Sequence, residues 1–258
     1  MFLMLIGAII GAIIGGVPGL LVGGLLGYGA RQLIVTSLVG GLRVAQTRLI
    51  DSTFSIMGAL CKADNVVTRD EIDAVEKIFR MLNLDEAMRE QAKAAFGRGK
   101  QPDFDLDAAV DQFARITRGR LPLVQLFLQL QCMAVAADGR IDPSEHEMLV
   151  RIARRLGLSE ADVSQLEALL RAATQGPSSG AGAGPSRDRL ADAYAALGVS
   201  ADAPSADVKR AYRKLISENH PDKLASRGLP ESMRPVAEER SREINSAYDL
   251  IKAARSDL

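Results

Sequence analysis

The sequence has no tryptophan, two histidines, two cysteines and only 4% aromatic residues in 258. Each scarcity excludes something. Cys61 and Cys132 have no Cys or His near enough in sequence to complete a zinc motif, which argues against a disulfide framework or a structural zinc and for two buried thiols in a reducing compartment. Few aromatics, combined with long stretches rich in Ala, Leu, Arg and Glu, disfavour sheets, so the expected fold is all-α. Net charge is also lacking: 32 Lys+Arg balance 32 Asp+Glu, leaving no global field to draw the chain to nucleic acid. No phosphate loop or nucleophile motif stands out, so an enzyme is the remotest class and no cofactor is expected.

The most consequential absence is local. The first 30 residues contain no charged side chain, and every Lys, Arg, Asp and Glu lies in the rest of the chain. As a helix, Phe2 to Ala30 would extend roughly 44 Å against a hydrocarbon core of ~30 Å, which suits one tilted or kinked crossing. Pro18 beside Gly19 places the kink near the middle. No Lys or Arg precedes Arg31, so the basic start of a cleaved secretory signal is missing and residues 1–30 read as a transmembrane anchor. Arg31, Arg43 and Arg48 all come before the first acidic residue, Asp51. That bias puts the N-terminus outside and the body in the cytoplasm. Gly7, Gly11, Gly15, Gly19, Gly23 and Gly27 form a bare stripe at every fourth residue, a face on which a second copy can pack closely to make a homodimer.

Residues 31–51 continue as a helical stalk into a helical domain at 52–172 that contains an internal duplication. Ala63-Asp64-Asn65-Val66-Val67-Thr68-Arg69-Asp70-Glu71 aligns with Ala137-Asp138-Gly139-Arg140-Ile141-Asp142-Pro143-Ser144-Glu145. Each copy ends one apolar helical pattern and begins another: Ile72, Val75, Ile78, Phe79 and Leu82 follow the first, and Leu149, Ile152, Ala153 and Leu156 the second. Thr68 and Asp142 are the expected N-caps, with Pro143 at the first helical position. Asp64, Glu71, Asp138 and Glu145 could gather around a divalent cation, but their spacing departs from the calcium-loop pattern, and acidic residues at helix starts already serve capping and the dipole. The arrangement resembles the TerB-like domain of tellurite-resistance proteins and of some membrane-anchored co-chaperones.

Residues 173–187 form a linker whose core, Gln175 to Ser186, reads QGPSSGAGAGPS. Such a stretch cannot bury a core, and ~12 residues of it span roughly 20 Å, so a separate domain is expected at 188–258. There a short helix from Leu190 ends at Gly198. A second begins near Ser205, the expected N-cap, with Val208, Ala211, Tyr212, Leu215 and Ile216 on one side and Lys209, Arg210, Arg213 and Lys214 on the other. His220-Pro221-Asp222 follows, then a loop, then a third helix from about Ser232 whose inner face carries Ile244, Ala247, Tyr248 and Ile251. Pro221 pushes His220 out of the helical region, so the tripeptide must break the helix and display its side chains at the tip of a helical hairpin. Residues 187–258 hold 13 basic and 12 acidic side chains, so the positive charge is local to one helix and no nucleic-acid footprint is expected.

This is the pattern of a J domain, over about residues 188 to 255. The whole chain, with RAYRKLISENHPDKLASRGLP near its end, resembles the DjlA family of membrane-anchored DnaJ-like co-chaperones. The resemblance implies that His220, Pro221 and Asp222 engage a DnaK-type chaperone and stimulate its ATP hydrolysis, with the basic face of the second helix docking on an acidic surface. It implies a bacterial inner-membrane location with a periplasmic N-terminus, and a part in envelope-stress signalling or capsule-polysaccharide regulation. No glycine/phenylalanine-rich stretch or cysteine-rich zinc module follows within this sequence, which leads to the expectation of a restricted rather than a general client range. The alternative is a membrane-tethered metal or stress sensor centred on the TerB-like domain.

The glycine stripe yields a test. Replacing Gly15 and Gly19 with Leu keeps the segment apolar but holds two backbones apart, so crosslinking of the chain to itself in membranes should fall. Unchanged crosslinking would remove the stripe as the interface.

Overall fold

The computed structural model describes Leu5, Tyr28 and residues 46–63, 68–136, 141–174, 187–227 and 229–255. Among these residues all regular structure is helical, in keeping with the all-α expectation. The chain divides into two units, Met1–Leu49 and Ile50–Leu258. In the first, Leu5, Tyr28 and residues 46–49 are helical. The six stripe glycines, Pro18, Arg31 and Arg43, like nearly all of the expected anchor, lie outside the described residues. Among the described residues no helix is long and apolar enough to cross a membrane.

The second unit begins with α1, helical residues 50–60, followed by α2 (Arg69–Met81), α3 (Glu86–Gly99), α4 (Leu106–Thr117), α5 (Leu121–Val135), α6 (Pro143–Arg155) and α7 (Glu160–Thr174). Its centre is α5, on which Leu123, Val124, Leu126, Phe127, Leu128 and Leu130 are all buried. A helix apolar all round must be enclosed, and α2, α4, α6 and α7 pack against it. Phe113 of α4 meets Phe127 with ring centroids 4.0 Å apart. Cys61 and Cys132 are free and fully buried, as expected.

Both repeated turns start helices by the same device. The Thr68 hydroxyl accepts from the Glu71 N–H at 3.2 Å, and the Glu71 carboxylate accepts from the Thr68 N–H at 2.7 Å. Asp142 opens α6 likewise, its N–H donating to Glu145 Oε2 at 2.9 Å, with Pro143 in the first turn. Such caps contribute about 1 kcal/mol each. Val75, Ile78, Phe79 and Leu82 are buried, as are Leu149, Ile152 and Ala153. Ile72 departs from the expectation at 48% exposed. The buried arc of α2 runs through Glu71, Ala74, Val75 and Ile78, because the cap draws Glu71 inward, and Ile72, about 100° further round the helix, is turned to solvent.

Beyond residues 175–186, which lie outside the described residues, come α8 (Arg187–Leu197), α9 (Ser205–Asn219), α10 (Pro221–Ser226), a 3₁₀ turn at Glu231–Met233 and α11 (Arg234–Ala254). α8 stops at Gly198, whose φ of 68° only glycine adopts freely. Ser205 is the first helical residue rather than the cap: extended Pro204 occupies the cap position and provides no side-chain hydrogen bond. Val208 is buried, and Tyr212 stacks on Tyr248 of α11 with centroids 4.1 Å apart. Ile244, Ala247 and Ile251 are buried beneath them.

These last helices pack on α7 and α5. Ala168 and Leu169 of α7 share one apolar cluster with Ala193, Leu197, Ile244 and Ala247. The Gln165 amide donates to the Ala196 carbonyl at 2.9 Å, and Arg171 donates to Asp192 at 3.0 Å. The apolar faces of α7, α8 and α11 set where the later helices go.

Two glycines allow α1 and α3 to touch backbone to backbone. A Cβ at Gly58 would overlap the Phe96 carbonyl, and one at Gly99 the Ser55 carbonyl. Gly99→Ala should therefore destabilise the second unit by about 1–3 kcal/mol, the usual cost of overpacking, whereas Gly97→Ala, where the added methyl meets nothing within 4 Å, should not. Chemical denaturation of the two variants checks this.

Candidate functional site

The break between α9 and α10 is made by Pro221, the first residue of α10. Its ring excludes the helical region for the preceding residue, and His220 accordingly has φ −62° and ψ 127°. His220 thus ends one helix and caps the next. Its Nδ1 accepts from the Asp222 N–H at 3.3 Å. Beneath it, buried Asn219 donates to the Leu215 carbonyl at 2.8 Å, and its own carbonyl accepts from the Ser241 hydroxyl at 3.2 Å, tying the junction to α11.

The expected loop at this tip is a six-residue helix. Pro221 fits the first turn, Leu224 supplies an apolar contact, and both are buried, which pins the segment while His220 and Asp222 stay exposed. Asp222 accepts from Arg234 Nη2 at 3.0 Å, and the same guanidinium donates from Nε to Glu238 at 3.1 Å. Glu238 first and Asp222 second hold the Arg234 guanidinium above its ordinary value. Lys223 donates to Ser217 across the bend at 2.8 Å. Along α9, Arg210, Arg213 and Lys214 are exposed and Lys209 half-buried, and Arg210 pairs with Asp207 one turn earlier. Arg213 lies about 10 Å along the axis from His220. One side of α9 and the start of α10 therefore join in a single exposed surface.

The candidate cation ligands are already employed. Glu71 and Glu145 are 5% exposed and close their capping boxes, while Asp64 and Asp138 lie outside the described residues. Burial first, and the Glu71 carboxylate next, push the Cys61 thiol up. His146 Nδ1 lies 2.7 Å from Glu167 Oε1 and joins α6 to α7. Among the described residues no three His, Cys, Asp or Glu side chains are placed to hold a metal ion.

Sequence reasoning missed the polar side chains between α11 and α5. Arg240 and Glu243 are buried at 8% and 5% exposure, and Gln129 donates to Glu243 Oε2 at 2.9 Å. The signal was available: 240, 243, 244, 247 and 251 share one helical face, so both charges sit on the apolar stripe. Burial pushes the Glu243 carboxyl up to about 8, Glu239 adding to the rise and Arg240 and Arg242 opposing it. Burial likewise lowers Arg240.

Because the folded state holds the Glu243 proton more tightly, its stabilisation is complete below the ordinary value of 4.5 and is lost as pH rises towards about 8. Stability of the second unit should decline over that window, and Glu243→Gln, a neutral isostere, should flatten the slope. Denaturation midpoints taken across the range test it; parallel curves for the two proteins would refute it.

The antiparallel pair α9 and α11, presenting a His-Pro-Asp turn beside a basic helix face, is the construction of a J-domain co-chaperone, here attached to a helical region with duplicated capped turns. The family model for tellurite resistance protein TerB matches residues 51–168, and that for the DnaJ domain matches residues 192–256. Co-chaperone protein DjlA of Vibrio vulnificus is 42% identical over 224 residues, 80% of this chain and 78% of that protein. Its counterpart in Photobacterium profundum is 40% identical over 215 residues, 80% and 78% of the two chains. The one in Shewanella oneidensis is 34% identical over 220 residues, 85% and 83%. The chain belongs to the DjlA family of co-chaperones. No solved structure matches it.

Proposed function

We propose that this co-chaperone stimulates ATP hydrolysis by a DnaK-type chaperone through His220, Pro221 and Asp222, with Lys209, Arg210, Arg213 and Lys214 docking on an acidic surface of that partner. The observation that carries this reading is the exposure of His220 and Asp222 on a turn held from below by buried Pro221 and Leu224. A carboxylate can accept from a second arginine beyond Arg234, so Asp222 can exchange or share its partner on contact. We further assign residues 1–30 as a single-pass anchor in the bacterial inner membrane with a periplasmic N-terminus. The charge bias of Arg31, Arg43 and Arg48 supports this assignment, and the stripe from Gly7 to Gly27 supports a homodimer.

His220→Gln and Asp222→Asn should each reduce stimulation to the basal rate while leaving the helices intact. Asp222 is 70% exposed and its pair with 40%-exposed Arg234 contributes little to stability. Arg210→Ala with Arg213→Ala should instead weaken docking in a salt-sensitive manner, because exposed charges chiefly steer association and are screened over roughly 8 Å at physiological ionic strength. Single-turnover hydrolysis by a DnaK-type chaperone, with circular dichroism on each variant, separates the two effects. A folded Asp222→Asn protein that stimulates like the wild type would overturn the reading.

A further inference from the structure

The helices that carry the His-Pro-Asp turn have two sides, and the structure uses them differently. One side is covered. Ala193 and Leu197 of α8 and Ile244 and Ala247 of α11 lie in the apolar cluster completed by Leu169 of α7. Four polar contacts pin the same side: Gln165 to the Ala196 carbonyl, Arg171 to Asp192, Gln129 to Glu243, and Arg240 to the Gln125 carbonyl. The other side is open. His220, Asp222, Arg210, Arg213 and Lys214 are exposed, and Arg213 and Lys214 make no ion pair among the described residues.

We infer that the chaperone partner and the α5/α7 face bind opposite sides of the J region at the same time, so that the J region works while docked. The inference rests on the proposed role of the His-Pro-Asp turn. Arg210, Arg213 and Lys214 stay exposed with the dock in place, so nothing covering these three has to be released before engagement. Undocking, by contrast, would strip cover from Leu169, Leu197 and Ile244 together and separate Gln129 from Glu243, apolar and polar losses that nothing on the open side offsets. The TerB-like region then acts as the mount that sets the direction in which the tip points. The Gly/Ser/Pro linker merely joins two ends already held in place.

The test locks the dock. Arg171 and Asp192 reach each other across it, at 3.0 Å between Nε and Oδ1, so Arg171→Cys with Asp192→Cys presents two thiols to a short, reducible bis-methanethiosulfonate linker. Native Cys61 and Cys132 are fully buried and do not compete. In the detergent-solubilised chain, the crosslinked protein should stimulate the ATPase of a DnaK-type chaperone within about twofold of the same sample after reduction. Loss of stimulation on crosslinking that reduction restores would overturn the inference. Hydrogen exchange on the wild-type chain supplies the second arm: amide protection in α7 and α8 should persist when the ATP-bound chaperone is added, and deprotection of both would overturn it independently of the variant's folding. A wild-type chain that gives no stimulation at all would instead defeat the proposed function, and the exchange measurement would still report whether the dock is kept.

Discussion

The structure of the second unit depends on α7 being covered from two sides. Val163, Leu166, Ala168, Leu169, Leu170 and Ala172 are all buried, and so is Glu167 between them. No single neighbour can cover so wide an arc of a helix. On one side α5 and α6 enclose it, with His146 of α6 set against Glu167; on the other, α8 and α11 do. Polar contacts follow the same division, since Arg171 of the same helix turns to Asp192 of α8. The J region and the TerB-like region are therefore coupled through a shared core.

At the tip the controlling constraint is local. Pro221 removes an N–H and forbids the helical conformation to His220, so α9 must stop and α10 must start. What makes the break usable is anchoring: Asn219 and Ser241 tie the junction to α11, and Leu224 is buried. Arg234 then spans from Asp222 to Glu238, linking the short helix to the long one. The two exposed side chains are presented by a rigid corner, which limits the entropy lost when a partner engages them. The neighbouring positive charge on α9 needs no such precision, because it acts through a field rather than through geometry.

Burial of Arg240 and Glu243 shows the same core from its weak side. Two ionisable groups placed among apolar residues must be desolvated, and α5 offers each one hydrogen bond in return, the Gln129 amide to Glu243 and the Gln125 carbonyl to Arg240. Burial therefore raises the Glu243 carboxyl at the contact between the two regions.

Much of this was determined by the sequence alone, because the controlling interactions are short in range. A helical period, a cap three residues before a glutamate, a proline after a histidine and a run of glycine and serine are each decided within a few residues. The all-α class, the caps at Thr68 and Asp142, the stop at Gly198 and the break at Pro221 were accordingly legible, and so was the basic side of α9. What only the tertiary structure decided are matters of encounter between distant segments. The inward turn of Glu71 rotated the arc of α2 and exposed Ile72. Burial of Leu224 and the reach of Arg234 turned an expected loop into α10. The match between α7 and α8 converted two sequence-defined regions into one packed unit. Periodicity tells a helix which face to bury; only the partner that arrives there decides against what.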